Sequence, residues 1–149
     1  MRDSVTVHMT APAERIWALL SDVTRIGRYS PETFEAEWLD GATGPAPGVR
    51  FRGHVKRNGK GPTYWTTCTV LASVPDREFT FGVGPKDKPI NVWSYQLESS
   101  GDGTDVTESF ALADTAAIRF YWAILGWARG RTNRNGMRTT LEAIKAEVE

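Results

Sequence analysis

Two charged residues stand among apolar ones and carry side chains suited to ligand or substrate chemistry. Arg134 falls on the apolar stripe of the C-terminal helical segment, and Glu108 shares a strand face with Val106 and Phe110. An internal ion needs a partner, because an unpaired buried charge is too costly to keep. Arg134 either points inward, pairs with Glu108 and meets an anionic or carbonyl-bearing ligand, or reaches water past the sheet edge or a helix kink.

Hydrogen-bonding side chains also alternate along the segment from Tyr64 to Val70. Tyr64, Thr66 and Cys68 share a face with Val70. The opposite face is half polar as well, so the period of two does not choose between them. If the Val70 face is inward, these three residues line a cavity with hydrogen-bonding groups.

Cys68 is expected to be a small buried side chain and not a nucleophile. A reactive thiol needs a lowered pKa and a nearby base. His8 and His54 are the two histidines, and both alternate onto outward strand faces. Two histidines without a paired ligand motif argue against a metal site, and no glycine-rich phosphate loop occurs. The sequence therefore predicts no cofactor.

The elements that must position these residues follow from periodicity. Alternation of apolar and polar residues predicts seven strands, at about 3–9, 33–40, 49–57, 63–74, 78–84, 91–99 and 104–112. Turn clusters rich in Gly, Pro, Asn and Asp separate them, so neighbours in sequence should pair in a meander. Two short helices should follow the first strand, one capped near Thr10 or Ala11 and one capped by Ser21-Asp22 and running through Arg25.

A long amphipathic helix is predicted for the C-terminal part of the chain. Its apolar stripe consists of Phe120, Ile124, Trp127, Met137, Leu141, Ile144 and Val148. A helix over 117–148 would measure about 48 Å, whereas a ten-residue strand measures roughly 33 Å. We therefore expect a break at Gly126, Gly130 or Gly136.

Together these elements predict an α+β fold in which a curved, seven-stranded antiparallel sheet wraps around the C-terminal helix. Small residues on inward faces, Ala36, Gly53 and Gly130, leave space between helix and sheet, so we expect a cavity. The residues predicted to line it and bind a ligand are Trp38, Phe51, Gly53, Tyr64, Cys68, Phe81, Trp93, Tyr95, Glu108, Phe110, Trp127, Gly130 and Arg134.

Composition narrows the function classes. The chain has 149 residues, 18 basic against 18 acidic residues, one cysteine and six tryptophans, so we expect one domain over 1–149 with an aromatic-rich core and no disulfide framework. Neutral net charge argues against nucleic acid as the partner. No apolar run reaches the length of a membrane span, and no secretory signal is recognised at the N-terminus, so we expect a cytoplasmic monomer or homodimer.

Two basic stretches interrupt this neutral average. The first comprises Arg50, Arg52, Lys56, Arg57 and Lys60, and the second Arg119, Arg129, Arg131, Arg134 and Arg138. One interpretation is a solvated face whose charges discourage edge pairing of strands. The other is weak docking on an anionic membrane surface or RNA.

The order of elements resembles the START-like helix-grip superfamily (SRPBCC), and most nearly its bacterial polyketide cyclase/dehydrase and lipid-transport branch. The stretches that carry the resemblance are 11–22 (APAERIWALLSD), 38–42 (WLDGA), 67–70 (TCTV), 104–109 (TDVTES) and 136–142 (GMRTTLE). The resemblance implies the helix-grip fold over nearly the whole chain. It does not choose an activity, because the superfamily includes lipid carriers, receptors and cyclases, so function must be argued from the site.

Three functions are therefore compared. The first is binding, with or without transport, of a small hydrophobic ligand such as a lipid or polyketide. The second is a polyketide cyclase or aromatase-like activity, in which Arg134, Glu108 and Tyr64 would polarise carbonyls or move protons. The third is an interaction module that uses a basic face, and this one predicts a filled core.

Overall fold

The computed structural model describes residues 2–56, 62–112 and 133–149. In chain order the elements are β1 (Arg2–Met9), α1 (Ala13–Leu20), a 3₁₀ helix (Val23–Arg28), β2 (Thr33–Trp38), β3 (Arg50–Val55), β4 (Tyr64–Val74), β5 (Glu78–Val83), β6 (Asn91–Ser100), β7 (Gly103–Leu112) and a C-terminal helix, α2, over 133–148.

Within the described ranges the seven strands form one antiparallel sheet in the order β1-β7-β6-β5-β4-β3-β2. From β2 to β7 every strand pairs with its neighbour in sequence, and β1 adds to the far side of β7. β1 and β2 are the two edges, so the sheet is open. The predicted α+β class and the meander are confirmed.

The two short helices form where turn and capping residues allow it. α1 begins at Ala13 with Pro12 at its N-cap, one or two residues later than the predicted caps, because proline fits the first positions, where its missing N–H is not needed. Its buried face consists of Ile16, Leu19 and Leu20. The second helix is of the 3₁₀ type and starts after Asp22, whose carboxylate accepts from the Thr24 backbone N–H at 3.2 Å.

α2 packs on the inner face of the sheet through a single stripe. Its buried residues are Asn133, Met137, Thr140, Leu141, Ile144 and Val148, at the spacing of one helix face. Leu141 and Ile144 are fully buried in a cluster with Met9, Ile16 and Val106. The hydrophobic core therefore lies between the C-terminal half of α2 and the sheet end near β1.

The predicted helix break does not occur at Gly136, which lies inside the continuous helix over 133–148. Gly126 and Gly130 fall outside the described residues. A Cβ atom at Gly136 would meet no described atom within 4 Å. Gly136 therefore faces open space between helix and sheet.

Replacing Leu141 by Ala should lower the free energy of unfolding by about 2–5 kcal/mol, the usual cost of a fully buried leucine truncated to alanine. The measurement is urea denaturation followed by circular dichroism. Leu71→Ala is the matched control, because Leu71 is 43% exposed, and it should cost less than about 0.5 kcal/mol. Equal losses in the two variants would contradict this placement of the core.

Candidate functional site

A cavity of about 180 Å³ lies between the N-terminal half of α2 and the inner faces of β3 to β7. Gly136 and Met137 border it on the helix side, and the connection from the 3₁₀ helix into β2 borders it at one end. Tyr64 lines the cavity and is 41% exposed. Within the described part of the chain the cavity wall therefore reaches the protein surface at Tyr64, and this end of the cavity is called its opening.

Strand register explains which residues meet there. Along each strand alternate side chains point inward, and pairing aligns Phe51 with Cys68, Cys68 with Val83, and Phe81 with Trp93. Further toward the core, Tyr95 pairs with Glu108. The predicted residues that the structure brings together on the cavity wall are Phe51, Gly53, Tyr64, Cys68, Phe81, Trp93, Tyr95 and Glu108. That they bind a ligand stays a prediction.

Aromatic rings form much of the apolar wall. The ring centroids of Phe51 and Phe81 are 5.2 Å apart at an interplanar angle of 72°, an edge-to-face contact. Trp38 packs beside its cross-strand partner Phe51, and Phe110 beside Trp93, with ring centroids 5.8 and 5.1 Å apart. Trp38 and Phe110 were predicted to line the cavity, but they contact lining residues and are not on its wall. Predicted Trp127 and Gly130 lie outside the described residues.

Glu108 is the buried acid of this cavity. The residue is 4% exposed, and its Oε1 atom has no described hydrogen-bond partner. Burial raises the pKa of Glu108 to about 8, and a hydrogen bond with the Tyr95 hydroxyl offsets part of that rise. At pH 7 the carboxyl group is therefore mainly protonated and neutral.

Two tyrosines near Glu108 are themselves uncharged. Burial raises the pKa of Tyr95 well above its usual value, and proximity to Glu108 raises it further. The same two causes, in the same order, raise the pKa of Tyr29, whose hydroxyl donates to the Leu20 carbonyl at 3.3 Å. Both phenols are neutral donors at any pH near neutrality.

Further polar groups line the cavity away from Glu108. Asn91 lies on the wall, and its Oδ1 atom is buried without a described hydrogen-bond partner. Thr66, Asn133 and Thr140 add hydroxyl and amide groups. The wall therefore combines aromatic and aliphatic side chains with several hydrogen-bonding groups.

The prediction that Arg134 lines the cavity is wrong. Its side chain is 60% exposed and its Nε atom lies 2.6 Å from Asp3 Oδ2 on β1. At about 100° per residue, Arg134 points roughly 70° away from the mean direction of the buried residues of α2. The direction of the predicted apolar stripe was averaged over residues on both sides of position 133. Including the residues before 133 moved the mean direction toward Arg134. The pair with Glu108 does not form.

Cys68 is buried, as expected from its pattern. Burial raises the pKa of its thiol to about 12, so the thiolate is scarce at neutral pH. Cys68 therefore contributes volume and a weakly polar surface to the cavity wall.

Two arginines of the first basic stretch, and His54 on the same strand, pair with acids of β2 and of the turn that follows it. Arg50 pairs with Asp40 at 2.9 Å, and His54 Nδ1 lies 2.7 Å from Glu35. Between them, Arg52 pairs with Glu37. These three pairs, the β2–β3 charge ladder, favour the interpretation as a solvated face. Arg57, Lys60, Arg119, Arg129 and Arg131 lie outside the described residues.

His8 is also a surface residue, with its two ring nitrogens 2.7 and 2.8 Å from Asp105 and Asp102. Hydrogen bonds with these acids, that with Asp105 first, raise the pKa of His8. In the parts of the chain that are described, no group of three or more His, Cys, Asp or Glu residues is arranged to hold a metal ion. No described helix is long and apolar enough to cross a membrane.

Besides Val55, Val83 and Asn91, which line the cavity from β3, β5 and β6, sequence reasoning missed two groups of lining residues. The first is Ile26, Ser30, Pro31, Glu32 and Thr33, from the 3₁₀ helix to the start of β2. Periodicity gives no signal in such an irregular segment. The second is Asn133 and Thr140 on α2. Their spacing of three and four residues from Met137 places them on its face, and this signal was present in the sequence.

An antiparallel sheet that packs against a C-terminal helix, with a cavity between them, is the helix-grip arrangement. The sequence profile described as "Polyketide cyclase / dehydrase and lipid transport" matches residues 2–149. The chain belongs to this family.

Solved structures share this fold. The Polyketide_cyc-like protein Cgl2372 of Corynebacterium glutamicum is 28% identical, with a TM-score of 0.66 over 97% of this chain and 88% of that one. Protein NE0264 of Nitrosomonas europaea is 15% identical, with a TM-score of 0.72 over 98% and 92% of the two chains.

The di-domain aromatase/cyclase StfQ of the steffimycin biosynthetic pathway is 11% identical, with a TM-score of 0.75 over 99% of this chain and 50% of that one. At this identity the likeness concerns the fold alone. A comparison with curated protein sequences found no match.

Glu108 should make the stability of the protein fall as the pH rises. The pKa of Glu108 shifts from 4.5 to about 8 on folding, so between these values the folded state holds a proton that the unfolded state has lost. Between pH 4.5 and pH 8 the free energy of unfolding should fall by about 1.4 kcal/mol per pH unit. Glu108 should not change it further below pH 4.5 or above pH 8.

Glu108→Gln cannot ionise, so its free energy of unfolding relative to the native protein should increase from pH 4.5 to pH 8, by a few kcal/mol in all. Urea denaturation at pH 5, 6.5 and 8 measures this difference. Glu98→Gln is the control, because Glu98 is exposed. If the Glu108→Gln curve runs parallel to that of the native protein, Glu108 is not a buried neutral acid.

Proposed function

We propose that the protein binds a small hydrophobic ligand in the cavity between α2 and the sheet, either to store it or to carry it. The observation that supports this proposal is the cavity itself, about 180 Å³ with aromatic walls and an opening beside Tyr64. An apolar cavity of about 150 Å³ is enough to bind benzene. The ligand portion that enters is therefore about the size of one ring with a short chain.

The family description supports this proposal, since it names both polyketide chemistry and lipid transport. The fold explains why space for a ligand remains between helix and sheet. The core packs around Leu141 and Ile144, and the wall around Gly136 is left open. Hydrophobic packing thus holds helix and sheet in place without filling the space between them.

The size of the cavity also sets the expected affinity. A ring with a short chain buries roughly 200 Å² of apolar surface, as a buried aromatic side chain does. At about 25 cal/mol per Å² this is worth about 5 kcal/mol, and that corresponds to a dissociation constant of roughly 0.2 mM. Simple probes must therefore be titrated into the millimolar range.

Gly136→Leu should abolish binding of butylbenzene, because the new side chain enters the open space beside the helix. The helix gains about 0.8–1 kcal/mol of propensity when glycine is replaced, so the variant should fold at least as well as the native protein. Isothermal titration calorimetry measures the binding, and circular dichroism the stability.

The matched control for this change is Thr139→Leu, on the exposed face of the same helix. It should leave butylbenzene binding unchanged. Solvent extraction of the purified protein followed by mass spectrometry should also recover an apolar molecule from the native protein and none from Gly136→Leu. Equal binding to Gly136→Leu and the native protein would count against the cavity as the site.

A second candidate function is intramolecular cyclisation of a poly-ketone, and Glu108 is the observation that favours it. General acids work best when their pKa lies near the working pH, and the pKa of Glu108 is about 8. In an aldol closure, an enol carbon attacks a ketone carbon and the Glu108 proton moves to that ketone's oxygen. The proton of the enol hydroxyl then returns to Glu108.

Heptane-2,6-dione is a suitable substrate, because its aldol closure and loss of water give 3-methylcyclohex-2-enone, whose ultraviolet absorption reports the rate. If the second candidate is correct, Glu108→Gln should lower the protein-dependent rate at least about 100-fold. Arg134→Ala should not change it, since Arg134 is paired with Asp3 outside the cavity. A native rate no faster than buffer would remove this candidate.

A further inference from the structure

We propose that the ligand of this cavity is an elongated molecule with a carbonyl group at its inner end, an apolar body, and a hydrogen-bond donor nearer the opening. The inner group would meet Glu108, the body Trp93, and the donor Asn91. This inference rests on the proposed binding function and adds the chemistry of the ligand. It follows from where the cavity leaves buried polar atoms without partners.

Glu108 Oε1 is the first of these atoms. A buried polar atom without a hydrogen bond costs about 1–3 kcal/mol, and such atoms are scarce in folded proteins. Glu108 lines the cavity, so a ligand that enters can supply the missing bond.

The Glu108 carboxyl acts as a donor toward the ligand. The ionisable groups that face it are Tyr95 on β6 and Tyr29 after the 3₁₀ helix, and both are neutral phenols. The second acid of the described wall, Glu32, lies on the connection into β2. Val5 of β1 and Met137 of α2 are apolar. Among the described lining residues there is no arginine, lysine or histidine. A carboxyl group in these surroundings keeps its proton, with a pKa of about 8, and donates it to a ketone, aldehyde or ester oxygen.

Asn91 Oδ1 is the second buried atom without a partner. A side-chain amide oxygen accepts hydrogen bonds, so its complement is an O–H or N–H group. Asn91 pairs with Val83 on β5, which is aligned with Cys68 on β4. This level of the sheet lies four residue pairs closer to the opening than the level of Tyr95 and Glu108.

Glu108 and Asn91 are the two proposed anchors of the ligand. The distance between them follows from the geometry of β6. Asn91, Trp93 and Tyr95 all line the cavity from β6, and four residues of strand span about 13 Å. A hydrogen bond of about 3 Å at each end leaves roughly 7 Å between the two polar atoms of the ligand. A phenol ring with a four-carbon ketone chain fits this separation, and its ring would lie against Trp93.

Four probes of nearly equal size test the proposal. 4-(4-Hydroxyphenyl)butan-2-one carries both polar groups, 4-phenylbutan-2-one only the ketone, 4-butylphenol only the hydroxyl, and butylbenzene neither. Each is titrated calorimetrically at pH 6.5 into the native protein. We expect the ketone and the hydroxyl each to increase affinity roughly 3–10-fold, and the two gains to multiply in the probe that carries both.

Variants then assign each gain to its anchor. Glu108→Leu should erase the gain from the ketone and keep that from the hydroxyl, whereas Asn91→Leu should do the reverse. Glu108→Gln should keep the ketone gain, because its amide N–H still donates. At pH 9 the native protein should lose the ketone gain and Glu108→Gln should retain it. This pH comparison also serves if Glu108→Leu does not fold.

The outcomes separate this inference from the proposed function. If all four probes bind equally tightly, the cavity binds apolar ligands but the two anchors do not act, and the inference is overturned. If the ketone gain is lost in Asn91→Leu instead of Glu108→Leu, the assigned orientation is overturned. If none of the probes binds at millimolar concentration, the proposed function and this inference fall together.

Discussion

The cavity depends on how α2 packs against the sheet. One stripe of the helix runs through both regions, with Leu141 and Ile144 fully buried in the core and Gly136 bordering the empty space. The far end of the helix is fastened by polar bonds as well, since Arg15 donates to the Val148 carbonyl at 3.1 Å and Arg28 to Glu147 at 3.0 Å. A tilt of the helix toward the sheet would narrow the cavity, but that movement would disrupt the core at the other end of the helix. Close packing in one half of the interface therefore maintains open space in the other half.

A second constraint is electrostatic. The protein buries a carboxyl group and keeps it neutral by protonation, since the described cavity wall holds no basic side chain. This choice makes the cavity suitable for uncharged molecules with an oxygen acceptor, whereas an arginine there would have selected anions. It also has a cost, because a buried polar group that lacks a partner destabilises the folded state. For stability alone, an apolar residue at position 108 would be better. A site that binds a polar group needs a polar residue there.

Most of the fold was predictable, because the strands alternate regularly and turn residues separate them. The inward position of Glu108 follows from its place between Val106 and Phe110 on a strand without a bulge. Arg134 was misplaced since the direction of a helix stripe depends on which residues are averaged, and an error of a few tens of degrees moves a side chain from cavity to surface. Ser30 to Thr33 carry no period at all, so only the folded chain brings them to the cavity. The residue types on the strand wall could thus be predicted from the sequence better than the irregular segment that completes the cavity.

The β2–β3 charge ladder has a consequence for how copies of the protein meet. β2 is an edge strand, and an open edge can pair with the edge of another molecule and start aggregation. Glu35 and Glu37 project from this edge and are held on one face by His54 and Arg52, so an approaching identical strand would bring like charges together. A slip of β2 by one residue would also turn Trp38 outward and separate the ladder. The same three pairs therefore disfavour edge-to-edge aggregation and fix the register of the strand that begins at the cavity opening.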